Sequence, residues 1–180
     1  MPPPETTSPD PALLSFLQGC TAAGIALNFD EIPALGGVPS DAFLGHSFQG
    51  LPTNITAATL RFRARAGVGP TFNDHISFFD LSDISGCTIT FDWQSRFESL
   101  TPALTWNPGQ TEDFNLDLDS LVPGPVSILS QLQDGDLHVL VDDDSGVDHM
   151  ILDVTASVPP DQCVDTIFAD GFEFGDTSAW

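Results

Sequence analysis

The chain has 180 residues, 41% of them hydrophobic, and carries 26 Asp and Glu against four Arg and no Lys, for a net charge of −22. That length suits one domain with a sizeable core. A field of that sign repels nucleic-acid phosphates and anionic membrane surfaces. No apolar run approaches the roughly 18 residues of a spanning helix, so membrane insertion through a helix is excluded. The acids are 21 Asp and only five Glu, accompanied by 15 Gly and 15 Pro. Asp favours turns and local side chain to backbone bonds where Glu favours helices, so the composition points to many turns and little helix.

In chain order, Met1 is followed by PPPETTSPDP, which has neither a basic n-region nor an apolar h-region, so an exported form would have lost its leader. Residues 1–19 read as a Pro-rich, flexible N-terminal segment. Residues 20–158 read as the folded domain, and 159–180 as a C-terminal tail set off by Pro159-Pro160-Asp161. Within the domain, period-two runs predict strands at 26–32, 44–50, 58–66, 74–81, 87–95, 113–119, 136–142 and 148–156. Gly36-Gly37, Gly67 to Pro70, Asn107-Pro108-Gly109 and Pro123-Gly124-Pro125 punctuate them. Val126 to Gln133 is the best candidate for a short helix. About eight strands joined by such turns predict an all-β fold, an antiparallel β-sandwich of jelly-roll type.

Asp142-Asp143-Asp144-Ser145-Gly146-Val147-Asp148 is the densest acidic cluster, at a tight turn between two predicted strands. Crowded carboxylates either repel one another or share a cation, and Ca²⁺ accepts six to eight oxygens. An EF-hand loop is rejected, because Gly146 and Val147 fall at its fifth and sixth positions and the flanks are strands. A calcium site of another kind would use Asp142, Asp143, Asp144 and Asp148, with Asn73 and Asp74 from a second loop; the alternative is a solvated acidic turn. Asp30, Glu31 and Asp153 make a looser acidic set on the first and last predicted strands. Arg61, Arg63 and Arg65 alternate with Leu60, Phe62 and Ala64, which puts the three guanidinium groups on one sheet face. They either form an anion platform or neutralise the protein's own Asp across neighbouring strands, and the second reading is favoured.

Trp93 and Trp106 are sugar-stacking platforms or, more commonly in a sandwich, core. The histidines show no HxH or HExxH spacing, and no nucleophile elbow or phosphate loop is present. Two carboxylates chosen from 26 discriminate nothing, so the chain does not read as an enzyme. Asn54-Ile55-Thr56 is a formal glycosylation sequon. Of Cys20, Cys87 and Cys163, the first and last flank the outermost predicted strands, so a Cys20–Cys163 disulfide is expected, with Cys87 buried at a strand start.

Two segments resemble bacterial extracellular proteins. Ile167 to Trp180, IFADGFEFGDTSAW, looks like the DGFESGDTSAW tail of secreted proteobacterial proteins, with Phe174 in place of the usual Ser. The body, from NFDEIPALGGVPS through DGDLHVLVDDDSGVDHMILDV, is similar to uncharacterised β-sandwich modules of bacterial surface proteins. In such modules an ND after the arginine strand and a DD…VD before the last strand recur. The resemblance therefore bears on Asn73, Asp74, Asp142, Asp143 and Asp148 and brings no catalytic residue. It implies an extracellular or cell-surface location. The expected function is a binding or adhesion module for a glycan or surface protein, with calcium as the candidate stabilising ion. A self-assembling structural subunit is the alternative, and a small polysaccharide hydrolase or lyase ranks below it.

Overall fold

A computed structural model describes residues 10–20, 24–25, 42–67, 74–100, 105–124, 126–142 and 145–157. The chain opens with helix α1 (Pro11–Cys20) and a two-residue strand β1 (Gly24–Ile25), followed by β2 (Ala42–Gln49), β3 (Ile55–Arg65) and β4 (His75–Phe79). A small hairpin of β5 (Ile84–Ser85) and β6 (Thr88–Ile89) precedes β7 (Trp93–Arg96) and the single-turn helix α2 (Phe97–Leu100). Strands β8 (Thr111–Asp117), β9 (Asp136–Asp142) and β10 (Gly146–Ala156) complete the described fold.

These strands form a five-stranded sheet in the order β1-β2-β9-β4-β7 and a three-stranded sheet in the order β10-β3-β8, with the β5-β6 hairpin apart. Every pairing is antiparallel except that of β1 with β2. From β2 to β4, and again from β7 to β10, each connection between long strands carries the chain to the opposite sheet. The expected all-β antiparallel sandwich is therefore present.

The period-two repeat in β3 explains the packing. Ala58, Leu60, Phe62 and Ala64 are buried while Arg61 and Arg63 are exposed. The buried set meets Phe114 and Leu116 of β8 and Ile76, Phe78, Trp93, Val139 and Val141 of the facing sheet in one continuous core. Phe62 stacks on Phe114 with ring centroids 4.9 Å apart, and Phe97 stacks on Trp106 at 5.0 Å.

Four expectations are corrected. The run 87–95 is two strands in different sheets, because Gly86 (φ 61) turns β6 back onto β5 before β7 begins. In place of a helix from Val126, the chain makes a bridge between Val126 and Leu121 and one 3-10 turn at Gln131–Asp134. The disulfide joins Cys20 to Cys87, closing a 67-residue separation, rather than Cys20 to Cys163, and Cys87 is exposed in the hairpin turn. Finally, α1 lies inside the segment read as flexible. Asp10 caps it, accepting from the Ala12 N–H at 2.7 Å, and Pro11 occupies the first helical position. Leu13 and Leu17 are fully buried against the outer face of the five-stranded sheet. The predicted strand 26–32, Cys163 and the tail 159–180 lie outside the described residues.

Candidate functional site

The register of β4 against β9 sets His75 opposite Asp142 and so brings two of the expected acidic segments together. Asp142 Oδ1 accepts the His75 backbone N–H at 3.1 Å and lies 3.6 Å from His75 Nδ1. Asp74, one residue earlier, is fully buried. Its Oδ2 accepts from Trp106 Nε1 at 2.8 Å and from Ser145 Oγ at 2.6 Å, while its backbone carbonyl accepts the Phe97 N–H at 3.2 Å. Asp74, through its carboxylate and its backbone carbonyl, thus gathers the entry to β4, the entry to β10, the start of α2 and the Trp106 segment over the aromatic stack. The buried carboxylate itself fastens three of these segments, and its hydrogen bonds offset the cost of desolvating it.

The remaining acids disperse. Asp148 falls at a register shift of β10 between Val147 and His149, and its Oδ2 lies 3.3 Å from His149 Nδ1. Asp153 belongs to Arg61, whose Nε approaches its Oδ2 at 2.7 Å. Asn73, Asp143 and Asp144 lie outside the described residues, as do Asp30 and Glu31. Among the described residues, no three His, Cys, Asp or Glu side chains converge as a metal site.

Two of the three arginines, Arg61 and Arg63, behave as the favoured reading expects. Arg61 pairs diagonally with Asp153 on β10, and Arg63 Nε lies 3.8 Å from Asp113 on β8. Both pairs are half exposed or more, so each contributes little to stability. Trp93 and Trp106 are 6% and 4% exposed, which makes them core residues rather than stacking platforms.

A shallow concavity lies on the outer face of the five-stranded sheet, at its β7 edge. It offers about 350 Å³, largely open to solvent, between His75, Gln94, Arg96, Glu98, Ser99 and Pro123. Gln94 and Arg96 reach it because alternate residues of β7 point outward. Arg96 Nη1 is 3.6 Å from Glu98 Oε1, a loose pair that leaves guanidinium donors facing the groove. Sequence reasoning missed this lining, because its members come from three separate elements and a turn. Only the outward positions of β7 were legible, had that strand been bounded correctly.

A second acidic group sits beneath the β5-β6 hairpin. Asp80 accepts from the Ser82 N–H at 2.6 Å, and this bonding to Ser82 holds its carboxyl below the usual range. Asp92 is pushed the other way, first by burial and then by the neighbouring charges of Asp83 and Asp80.

No family of known proteins, no curated protein and no solved structure matches the chain. Among the described residues, no helix is long and apolar enough to cross a membrane.

Proposed function

We propose that the protein is an extracellular or cell-surface binding module that holds a neutral glycan in the polar groove at the β7 edge. The groove carries the reading. Its 350 Å³ falls in the range of small-ligand sites, and guanidinium, amide, hydroxyl and carboxylate groups line it, the donor and acceptor mixture that sugar hydroxyls satisfy. A neutral ligand is favoured because a net charge of −22 repels polyanions at long range. The Cys20–Cys87 disulfide supports the location, since such bonds persist in oxidising compartments. Calcium at the 142–148 turn enters this proposal only as a question for experiment, because Asp74, Asp142 and Asp148 already engage protein partners.

The test is a glycan array probed with the wild type and with Gln94→Ala/Arg96→Ala. The proposal expects a defined set of neutral glycans bound by the wild type and lost in the variant. A blank array, or equal binding by the variant, overturns it. Large regular particles by size exclusion and negative-stain imaging would favour the structural subunit, and polymer cleavage would favour the enzyme.

A further inference from the structure

We propose that the protein carries a second binding site, a cavity at the Phe79–Asp80 end of β4 that takes an ammonium group on an unbranched alkyl chain. A free alkylamine and the lysine side chain of another protein present that same chemistry; this chain has no lysine of its own. The inference stands whether or not the groove binds a glycan.

The fold makes this cavity where β4 ends and β9 begins. Phe79 stands opposite His138 in the antiparallel register, and the chain leaves β4 through Asp80 and Leu81 beside the entry of Asp136 and Leu137 into β9. The 3-10 turn at Gln131–Asp134 borders it on a third side. The space is about 100 Å³, roughly the share of three waters. Sites for whole small molecules run to about 300–1,000 Å³, so this one suits the end of a chain. His75, at the other end of β4, lines the groove, which places the two sites about 13 Å apart along one strand.

The lining is divided by chemistry. Phe79, Leu81 and Leu137 supply an apolar wall, and Phe79 and Leu137 are each 3% exposed. Asp80, Asp134 and Asp136 supply three carboxylates, of which Asp134 and Asp136 are exposed and so stand at the mouth. Asp80 is held in place by the Ser82 N–H, and no arginine lines the cavity to neutralise the three.

His138 is a separate pointer to a ligand. It is almost fully buried and borders the cavity. Its Nδ1 lies 2.9 Å from Ser47 Oγ on β2, so the far side of the ring, with Nε2, faces the β4 side, where the cavity lies. Nε2 has no hydrogen-bond partner among the described residues, although buried polar atoms ordinarily have one. Ser47 Oγ has two lone pairs, enough for the Asp10 N–H at 2.8 Å and an Nδ1 hydrogen, so Nε2 is able to accept from an incoming ammonium.

These features select the ligand class. A bare metal ion does not fit, because among the described residues no three acidic, imidazole or thiol side chains converge on one point. An alkylammonium matches the lining as it stands, with N–H donors for Asp80 and Nε2 and methylenes for the apolar wall. The net charge of −22 draws cations toward the mouth at long range.

The experiment is an amide NMR titration of the full chain with ethyl-, propyl- and butylammonium at neutral pH and one ionic strength. The proposal expects saturable shifts confined to residues 79–82 and 131–138, with affinity rising about fourfold per methylene. 1-Butanol should bind about tenfold more weakly or worse, having lost the charge. Asp134→Asn/Asp136→Asn should weaken butylammonium by about fivefold or more. Asp113→Asn/Asp117→Asn on β8 removes the same charge from the other sheet and should leave binding within about twofold. Nα-acetyl-lysine methylamide separates the two sources. The same shifts assign the cavity to a lysine side chain, and their absence while butylammonium binds assigns it to a free amine. Unsaturable or scattered shifts, an equal response to butanol, or a flat chain-length series overturns the proposal, as does equal weakening by the two variant pairs. If Asp134→Asn/Asp136→Asn does not fold, the wild-type chain-length series and the butanol comparison decide alone.

Discussion

Between the sheets, Phe62, Phe97, Trp106 and Phe114 interlock within a core to which both sheets contribute. Under α1, a second cluster among the described residues buries Leu13, Leu17, Phe79 and Leu140, with Phe16, Leu81, Ile84, Ile89 and Phe91 around them. The first is held by long antiparallel ladders. The second rests on a ten-residue helix, too short to be stable alone in water, and is fastened by a glycine contact, a hydrogen-bonded cap and a disulfide. The comparison teaches that one sheet can carry a layer held by long strand ladders on its inner face and a layer held by a short helix and its fastenings on its outer face.

The largest expected effect separates the two layers. Phe62→Ala removes a fully buried ring from the aromatic stack and should cost about 3–5 kcal/mol of global stability, read by urea denaturation. A loss below about 1 kcal/mol would mean that the core is not organised around that ring. Replacing both Cys20 and Cys87 by Ala should cost about 2–4 kcal/mol, because the bond restricts a long loop in the unfolded chain. The sandwich should still fold with an unchanged denaturant slope, whereas loss of cooperative unfolding would show that the outer layer is integral to the core.

Calcium should produce the smallest change. Asp74 is committed to Trp106 and Ser145, and Asp142 to His75. Added calcium should therefore raise the melting temperature by no more than about 2 °C beyond sodium chloride of matched ionic strength, less than about 1 kcal/mol for a domain of this size. A rise of several degrees that disappears in Asp142→Asn would instead make the 142–148 turn a calcium site.

The inner layer was legible in the sequence because strands that bury one face repeat every two residues. The run from Ala58 to Ala64 and the runs that became β8 and β10 carry that signal, whereas β9 is buried on both faces from Leu137 to Val141 and was found from its continuous apolar run. The outer layer was written in signals that composition obscured. Asp10-Pro11 is a helix-start signature, and Leu13, Leu14, Phe16 and Leu17 have helical spacing, but both follow directly on a Pro, Ser and Thr stretch that reads as linker. The site was less legible still. Asp74 reads from the sequence as a candidate calcium ligand, yet its partners Trp106 and Ser145 lie 32 and 71 residues away, so only the folded chain shows that it is a buried fastening. Ser47 and His138, 91 residues apart, carried no motif at all.

The separation of the two layers is tested most directly by native-state hydrogen exchange of the full chain at neutral pH across increasing, sub-denaturing urea. The account predicts that α1 amides exchange through a local opening whose free energy is lower and nearly insensitive to urea. Amides of β3 should exchange only through global unfolding, with the full urea dependence. If α1 and β3 instead share one free energy and one slope at every urea concentration, the helix is part of the core and the two-layer account is wrong.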